Sequence, residues 1–114
     1  MKIYFKNKSF DIKAKECNGF RKFIGLMFKS RETESLLFDF DEENRYSIHS
    51  LFVFFPFLAI WMDKNNEVIE YRIVSPFSIN IYPKNKFRKI VEIPINSKNI
   101  WIVLFFVGKT EKFK

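Results

Sequence analysis

The sequence predicts an α+β domain that is mostly β, with an antiparallel sheet curled toward a small barrel and one short helix near the N-terminal third. Strand-like segments recur at spacings of about ten residues, and turn-forming clusters separate them. A single segment carries apolar residues at helical spacing. No linker interrupts the 114 residues, so we expect residues 1–114 to form a single globular domain.

The chain opens with a predicted β-hairpin. Apolar and polar residues alternate over residues 3–5 and again over residues 10–14, and the polar residues 6–9 between them can turn.

A short helix is predicted next. Asn18 can cap it, and apolar residues follow at positions i, i+3, i+4 and i+7. These residues are Phe20, Phe23, Ile24 and Met27. Gly25 weakens the helix by about 1 kcal/mol relative to Ala, so it either permits close packing or ends the helix early.

The densest apolar run, residues 51–62, is predicted to form the centre of the core. Pro56 cannot donate to a sheet ladder, so the run should divide into strands 51–55 and 57–62. Residues 63–66 then turn, and residues 68–74 alternate as a returning strand. A run of about twelve apolar residues is too short to cross a bilayer as a helix, so no membrane span is expected.

The remaining predicted segments follow the same rules of alternation and turn chemistry. They are strand 36–40, an acidic turn at 41–44, strand 77–81, a turn at 83–86, strand 87–95 ending near a sheet edge at Pro94, and a buried strand 100–107 followed by a frayed tail. Trp61 and Trp101 lie within apolar runs and are expected in the core.

Charge and cysteine content bear on partners and compartment. A net charge of +7 would attract nucleic acid or an anionic membrane, although the joint richness in Lys, Phe, Ile and Asn is also what an AT-rich genome produces. Cys17 is the only cysteine, so an internal disulfide is excluded, and the charged N-terminus lacks the apolar core of a signal peptide. The sequence therefore predicts a cytoplasmic protein.

Several motifs in order resemble the family known as domain of unknown function 192. They are the Gly25-Leu26-Met27 motif, the Leu36-Leu37-Phe38 strand, an apolar block over residues 54–63 that leads through residues 68–76, and the Val91-Glu92-Ile93-Pro94 strand. The resemblance implies a compact β-rich domain with no assigned activity, and basic residues at Lys22 and Lys29 around the first motif. Leu36 stands where the family usually has Met, and residues 101–107 are more apolar than the family's ending.

Catalysis has little support in the sequence. His49 and Cys17 are the only side chains with ordinary pKa values suited to acid–base or nucleophilic work near neutral pH. No ligand spacing for a transition metal is present, the three glycines form no phosphate-binding loop, and calcium in the acidic turn is less favoured than a solvated loop. We predict no enzyme, no metal and no cofactor.

Two binding functions stay open, and the sequence names no specific partner. The preferred one is a protein-interaction or ligand-binding module that uses Lys22, Gly25, Met27 and Lys29; the alternative role of Gly25 and Met27 is packing. The second is nucleic-acid binding through a basic turn. Its residues are Tyr82, Lys84, Lys86, Phe87, Arg88 and Lys89. A lysine-rich turn that keeps a sheet edge soluble would look the same.

Overall fold

A computed structural model describes residues 1–17 and 25–110, with the side chains of residues 109 and 110 left aside. These residues form seven strands in two sheets and one α-helix. The elements are β1 (Lys2–Phe5), β2 (Lys8–Asp11), β3 (Ala14–Cys17), β4 (Ser35–Asn44), β5 (Phe57–Met62), β6 (Val68–Val74), β7 (Phe87–Pro94) and α1 (Ile100–Thr110).

The main sheet has five strands in the order β3-β4-β7-β5-β6. β7 lies between β4 and β5 and runs antiparallel to both, whereas β3 joins β4 in parallel. All six residues of β5 are buried. The predicted hairpin of β5 and β6 is confirmed, and β5 begins directly after Pro56.

Both faces of this sheet are covered, which explains why β5 is apolar at every position. Phe57, Ala59 and Trp61 pack in one core cluster with Val53 and Phe55 from the loop before β5. The intervening β5 residues pack in a second cluster beneath the β1–β2 hairpin and α1. We call these the loop face and the helix face of the sheet.

The predicted barrel is wrong, because the sheets do not close. In the described part of the chain, β3 and β6 are the two edges of the main sheet and do not pair with each other. A small antiparallel barrel without covering helices buries only its inner face, whereas both faces of β5 are buried here. The loop before β5 covers one face of the sheet, and the β1–β2 hairpin and α1 cover the other, so the apolar side chains of both faces are buried.

The position of the helix also differs from the prediction. Residues 18–24, on which most of the predicted N-terminal helix falls, lie outside the described residues, and residues 25–28 form a turn. Within the described residues the helix is near the C-terminus, where a strand was predicted. A continuous apolar run does not distinguish a buried strand from a helix, and here packing on the helix face decides the outcome.

The local residues explain how α1 begins. Asn96 Oδ1 accepts hydrogen bonds from the backbone N–H groups of Lys98 and Asn99, both at 3.0 Å. The Asn99 carbonyl then accepts from the N–H of Ile102 and Val103 at the start of the helix. Trp101 follows on the outward side and is 49% exposed, so its predicted place in the core is wrong.

Two predicted strands are loops. Residues 51–55 and 77–81 lie outside the named strands, with Ile48 and Ile81 forming only an isolated bridge. Phe52 and Phe77 have φ near +58°, a left-handed conformation that strands do not use. β4 instead runs through the predicted acidic turn, with a register shift between Asp39 and Asn44.

The other predicted elements are largely confirmed. The β1–β2 hairpin forms as expected, except that Ala14 begins β3. The turn before β6 is closed by a hydrogen bond from Asn66 N–H to the Asp63 carbonyl at 3.1 Å. β7 ends at Pro94 but is an interior strand of the sheet. Across residues 1–17 and 25–110, no helix has the length and apolar character needed to span a membrane.

Candidate functional site: a buried carboxyl in an apolar pocket

Glu92 is an ionisable residue in the middle of the main sheet. It lies on β7 between Leu36 of β4 and Ala59 of β5. Its residue surface is only 7% exposed, and among the described residues its carboxyl group has no hydrogen-bonding or ion-pairing partner. Burial raises the pKa of Glu92 from 4.5 to about 8, because the charged form loses its hydration.

Glu92 lines a cavity of about 500 Å³ on the loop face of the sheet. We call this cavity the Glu92 pocket. Its walls are mainly apolar and aromatic. The lining residues are Gly25, Leu26, Phe38, Phe40, Tyr46, Ser47, Ile48, His49, Val53, Ile90 and Glu92. None of the chain's Lys and Arg residues is among these described lining residues.

Gly25 brings the chain close to the carboxyl group. Its φ of +51° is left-handed, which glycine adopts without the steric penalty of a side chain. A β-carbon at Gly25 would lie 3.5 Å from Glu92 Oε1 and 3.6 Å from Phe38 Cζ. The glycine therefore forms part of the pocket wall where the backbone passes over the acid.

Ser50 holds together the two loops beside the pocket. Its side chain is fully buried, and its hydroxyl donates to the Ser75 carbonyl at 2.6 Å and accepts from the Ser78 N–H at 2.7 Å. The Ser50 backbone N–H also donates to the Ser78 carbonyl, and its carbonyl accepts from Phe77 N–H. These bonds fix the loop that supplies residues 46–49 and Val53 to the pocket.

The structure brings together part of the first predicted site. Gly25 lines the Glu92 pocket, whereas Met27 is half-buried against the core cluster of the loop face. Lys29 is exposed and lines a separate depression of about 220 Å³ with Lys15 and Glu34. Lys22 lies outside the described residues. Lys29 is therefore not a wall residue of the Glu92 pocket.

The predicted basic turn is only partly exposed. Tyr82 is 57% exposed, and Lys84 and Lys86 also face solvent. Phe87 is fully buried, so it cannot stack on a base in this conformation. Arg88 pairs with Asp39 at 2.9 Å, in a sheet position rather than in the turn.

Lys89, the last predicted residue of that turn, donates from Nζ to Asn66 Oδ1 at 2.8 Å. Asp39 opposite Arg88 has a lowered pKa: burial alone would raise it, but hydrogen bonds from the Asp41 N–H and from Arg88 outweigh that effect. The predicted solvated acidic turn is thus partly an ion-paired strand. In residues 1–17 and 25–110, no cluster of three His, Cys, Asp or Glu side chains has an arrangement that could hold a metal ion.

Sequence reasoning did not assign a role to Glu92. The signal was present, because Glu92 is a carboxylate flanked on both sides by apolar residues within a strand of residues 87–95. Interior strands leave no position for a hydrated side chain, so an acidic residue there must be ion-paired, protonated or next to a cavity. That Glu92 lies next to a cavity is visible only in the folded structure.

The fold and pocket define a small β-rich domain with a buried acid beside a cavity on one face of its sheet. The chain belongs to the DUF192 family, described as "Uncharacterized ACR, COG1430", whose pattern matches residues 6–100. The resemblance predicted from the motifs is thereby confirmed.

A solved structure shares the fold. It is a crystal structure of a Sinorhizobium meliloti 1021 protein described as a candidate transcription regulator. The likeness has a TM-score of 0.75 at 14% sequence identity and covers 94% of this chain and 82% of the other. At that identity, the likeness establishes the fold alone. Comparison with curated proteins gives no significant match.

Proposed function

We propose that this domain is a non-catalytic binding module that holds a small, largely apolar molecule in the Glu92 pocket. The observation that carries the proposal is a carboxyl group more than nine-tenths buried, without a described partner, beside a cavity of about 500 Å³. Cavities of roughly 300–1,000 Å³ with a few polar groups in apolar walls are typical of small-molecule sites.

The energetics of Glu92 support binding. Burying a polar group without a hydrogen-bonding partner costs about 1–3 kcal/mol, and folding alone recovers none of this. A ligand that pairs with the carboxyl group would offset that cost. Ser47 and His49 also line the pocket, but in the described residues no hydrogen bond joins either side chain to Glu92, and His49 Nδ1 accepts from the Leu51 backbone N–H instead. Without a nucleophile held against a base, the arrangement favours binding over catalysis.

Binding can be tested with N-phenyl-1-naphthylamine, an uncharged apolar probe whose fluorescence increases out of water. We expect the wild-type domain to enhance its fluorescence saturably. Ile48→Trp should abolish the enhancement, because Ile48 is a pocket wall residue and the larger ring would fill the space.

Ile79→Trp is the matched control. Ile79 is 59% exposed and is not part of the pocket wall, so this variant should bind the probe like the wild type. Equal loss in both variants, or no saturable enhancement by the wild type, would refute the proposal. Circular dichroism of each variant confirms that the fold is retained.

Nucleic-acid binding is the second candidate function. It is favoured by the net charge of +7, by the exposure of Tyr82, Lys84 and Lys86, and by the description of the Sinorhizobium meliloti protein as a candidate transcription regulator. The burial of Phe87 and the pairing of Arg88 leave a smaller contact surface than the sequence predicted.

Salt dependence separates the two functions. Binding of a labelled DNA duplex through the turn should weaken between roughly 50 and 200 mM salt, and the slope should fall by about one for each lysine contact removed. The test variant is Lys84→Gln with Lys86→Gln. The control is Lys6→Gln with Lys8→Gln, which removes the same charge from exposed positions of the β1–β2 hairpin. Equal slopes in both variants would show that the turn is not a specific contact.

A further inference from the structure

We infer that the ligand of the Glu92 pocket carries a primary or secondary ammonium group, held by the Glu92 carboxylate, with its carbon skeleton among Phe38, Phe40 and Tyr46. This inference rests on the proposed function and adds the chemical class of the ligand. It depends on the charges and ring systems that the described lining residues present.

The distribution of charge favours a cation. The chain has 20 Lys and Arg residues, yet none belongs to the described wall of this pocket, so that part of the wall offers an anionic ligand no counter-charge. A cationic ligand would find one carboxylate and three aromatic side chains. Aromatic rings attract cations through their negative faces, and a carboxylate with an N–H donor forms a strong charge-assisted hydrogen bond.

A neutral apolar ligand would use the pocket less completely. It would fill the space between Leu26, Ile48 and Val53 but would leave the Glu92 carboxyl group buried and unpaired. A ligand N–H group would instead donate a hydrogen bond to the Glu92 carboxylate. The glycine at position 25 leaves the approach to Glu92 Oε1 without a side chain.

Few titratable side chains lie near Glu92 in the described part of the chain. Tyr46 and His49 are the other titratable side chains of the described pocket wall, and the strands on either side of Glu92 place Leu36 and Ala59 next to it. Three charged residues share with Gly25 the lining of the separate depression of about 220 Å³, outside the Glu92 pocket. They are Lys15, Lys29 and Glu34.

Ammonium binding should therefore be linked to one proton. Because the pKa of Glu92 is raised to about 8, its carboxyl group is mostly protonated at pH 7 and must lose its proton to pair with a cation. The ionised fraction, and with it the affinity, should rise about 50-fold from pH 6 to pH 8. An alkylammonium keeps its own charge across this range.

The test compares three ligands of equal chain length: hexylammonium, hexanol and hexanoate. Each is titrated against the domain by displacement of N-phenyl-1-naphthylamine at pH 6, 7 and 8. At pH 8 we expect hexylammonium to bind at least about tenfold more tightly than hexanol, as one added charge-assisted hydrogen bond provides. Hexanoate should bind most weakly.

Glu92→Gln is the decisive variant, because it keeps the shape of the side chain and removes the charge. By displacement of the same probe, it should bind hexylammonium no better than hexanol and lose the about 50-fold rise in hexylammonium affinity from pH 6 to pH 8. Glu34→Gln is the control, because it removes a carboxylate that lines the separate depression and should retain the wild-type preference.

The outcomes separate the two proposals. If the probe binds in the pocket but hexylammonium shows no advantage over hexanol, or if the advantage survives in Glu92→Gln, the inference about the ligand is overturned and the proposed function stands. If neither the probe nor any of the three ligands binds the wild-type domain, the proposed function fails as well.

Discussion

Gly25 and Glu92 come together on the loop face of the sheet, with 3.5 Å between the Glu92 Oε1 atom and the point that a β-carbon on Gly25 would occupy. That distance is an ordinary van der Waals contact, so the restriction on Gly25 comes from its backbone. A non-glycine residue in the left-handed region costs roughly 1–2 kcal/mol.

We therefore expect Gly25→Ala to lower the free energy of unfolding by about 1 kcal/mol, measured by urea denaturation. Gly108→Ala is the contrasting control, because Gly108 lies within α1 and alanine is favoured in a helix by about 1 kcal/mol. A Gly25→Ala variant as stable as the wild type would contradict the strained conformation assigned to this position.

Glu92 should make the domain less stable as pH rises. The folded state keeps the Glu92 proton up to a pKa of about 8, whereas the unfolded state loses it near 4.5, so the folded state binds more protons throughout that window. Raising the pH from 4.5 to 8 then favours unfolding, and the loss at pH 8 is on the order of 4 kcal/mol.

Glu92→Gln should remove this dependence. We expect the variant to match the wild type near pH 4 and to exceed it in the free energy of unfolding by on the order of 3 kcal/mol at pH 7, measured by urea denaturation across the pH range. Glu34→Gln, at an exposed carboxylate, provides the baseline. A wild type that gains stability relative to Glu92→Gln as the pH rises would reverse the sign and refute the assignment.

Ser50 and Ser78 offer a matched pair for the loops around the pocket. Both hydroxyls donate to the Ser75 carbonyl, at 2.6 Å and 2.9 Å, but Ser50 is fully buried, whereas Ser78 is half-buried and its hydrogen bond is exposed to solvent. Ser50→Ala should lower the free energy of unfolding by about 1–3 kcal/mol, since the Ser78 N–H also loses its acceptor.

Ser78→Ala should lower it by less than about 0.5 kcal/mol, because water can replace an exposed hydrogen bond. Urea denaturation of the two variants side by side measures the difference. Equal effects would mean that Ser50 does not hold the two loops together.

The two tryptophans report separately on strand β5 and on helix α1. Trp61 is fully buried in β5, as predicted, whereas Trp101 is 49% exposed on α1. Trp101→Phe should leave emission at short wavelength that acrylamide quenches little, because the remaining indole has no contact with water. Trp61→Phe should leave red-shifted emission that acrylamide quenches readily. The reverse pattern would place residues 100–107 inside the sheet, as the sequence had suggested.

Alternation and turn residues are local properties, and they predicted much of the sheet. β5, β6 and β7 and the β1–β2 hairpin follow from apolar periodicity bounded by turns such as residues 63–66. The resemblance carried by Gly25-Leu26-Met27 and the Val91–Pro94 strand identified the family correctly. These patterns are readable because each depends on residues that are close together in the chain.

Local patterns in the sequence are enough to predict a β-rich domain with buried strands that begin at residues 57 and 87. The helix at residues 100–107 depends on packing, since a wholly apolar run fits either a strand or a helix until one face packs on the sheet. The tertiary structure also decided that Glu92 lies beside Gly25 in a cavity. Residues so far apart in the chain meet only through sheet order, which local periodicity does not encode.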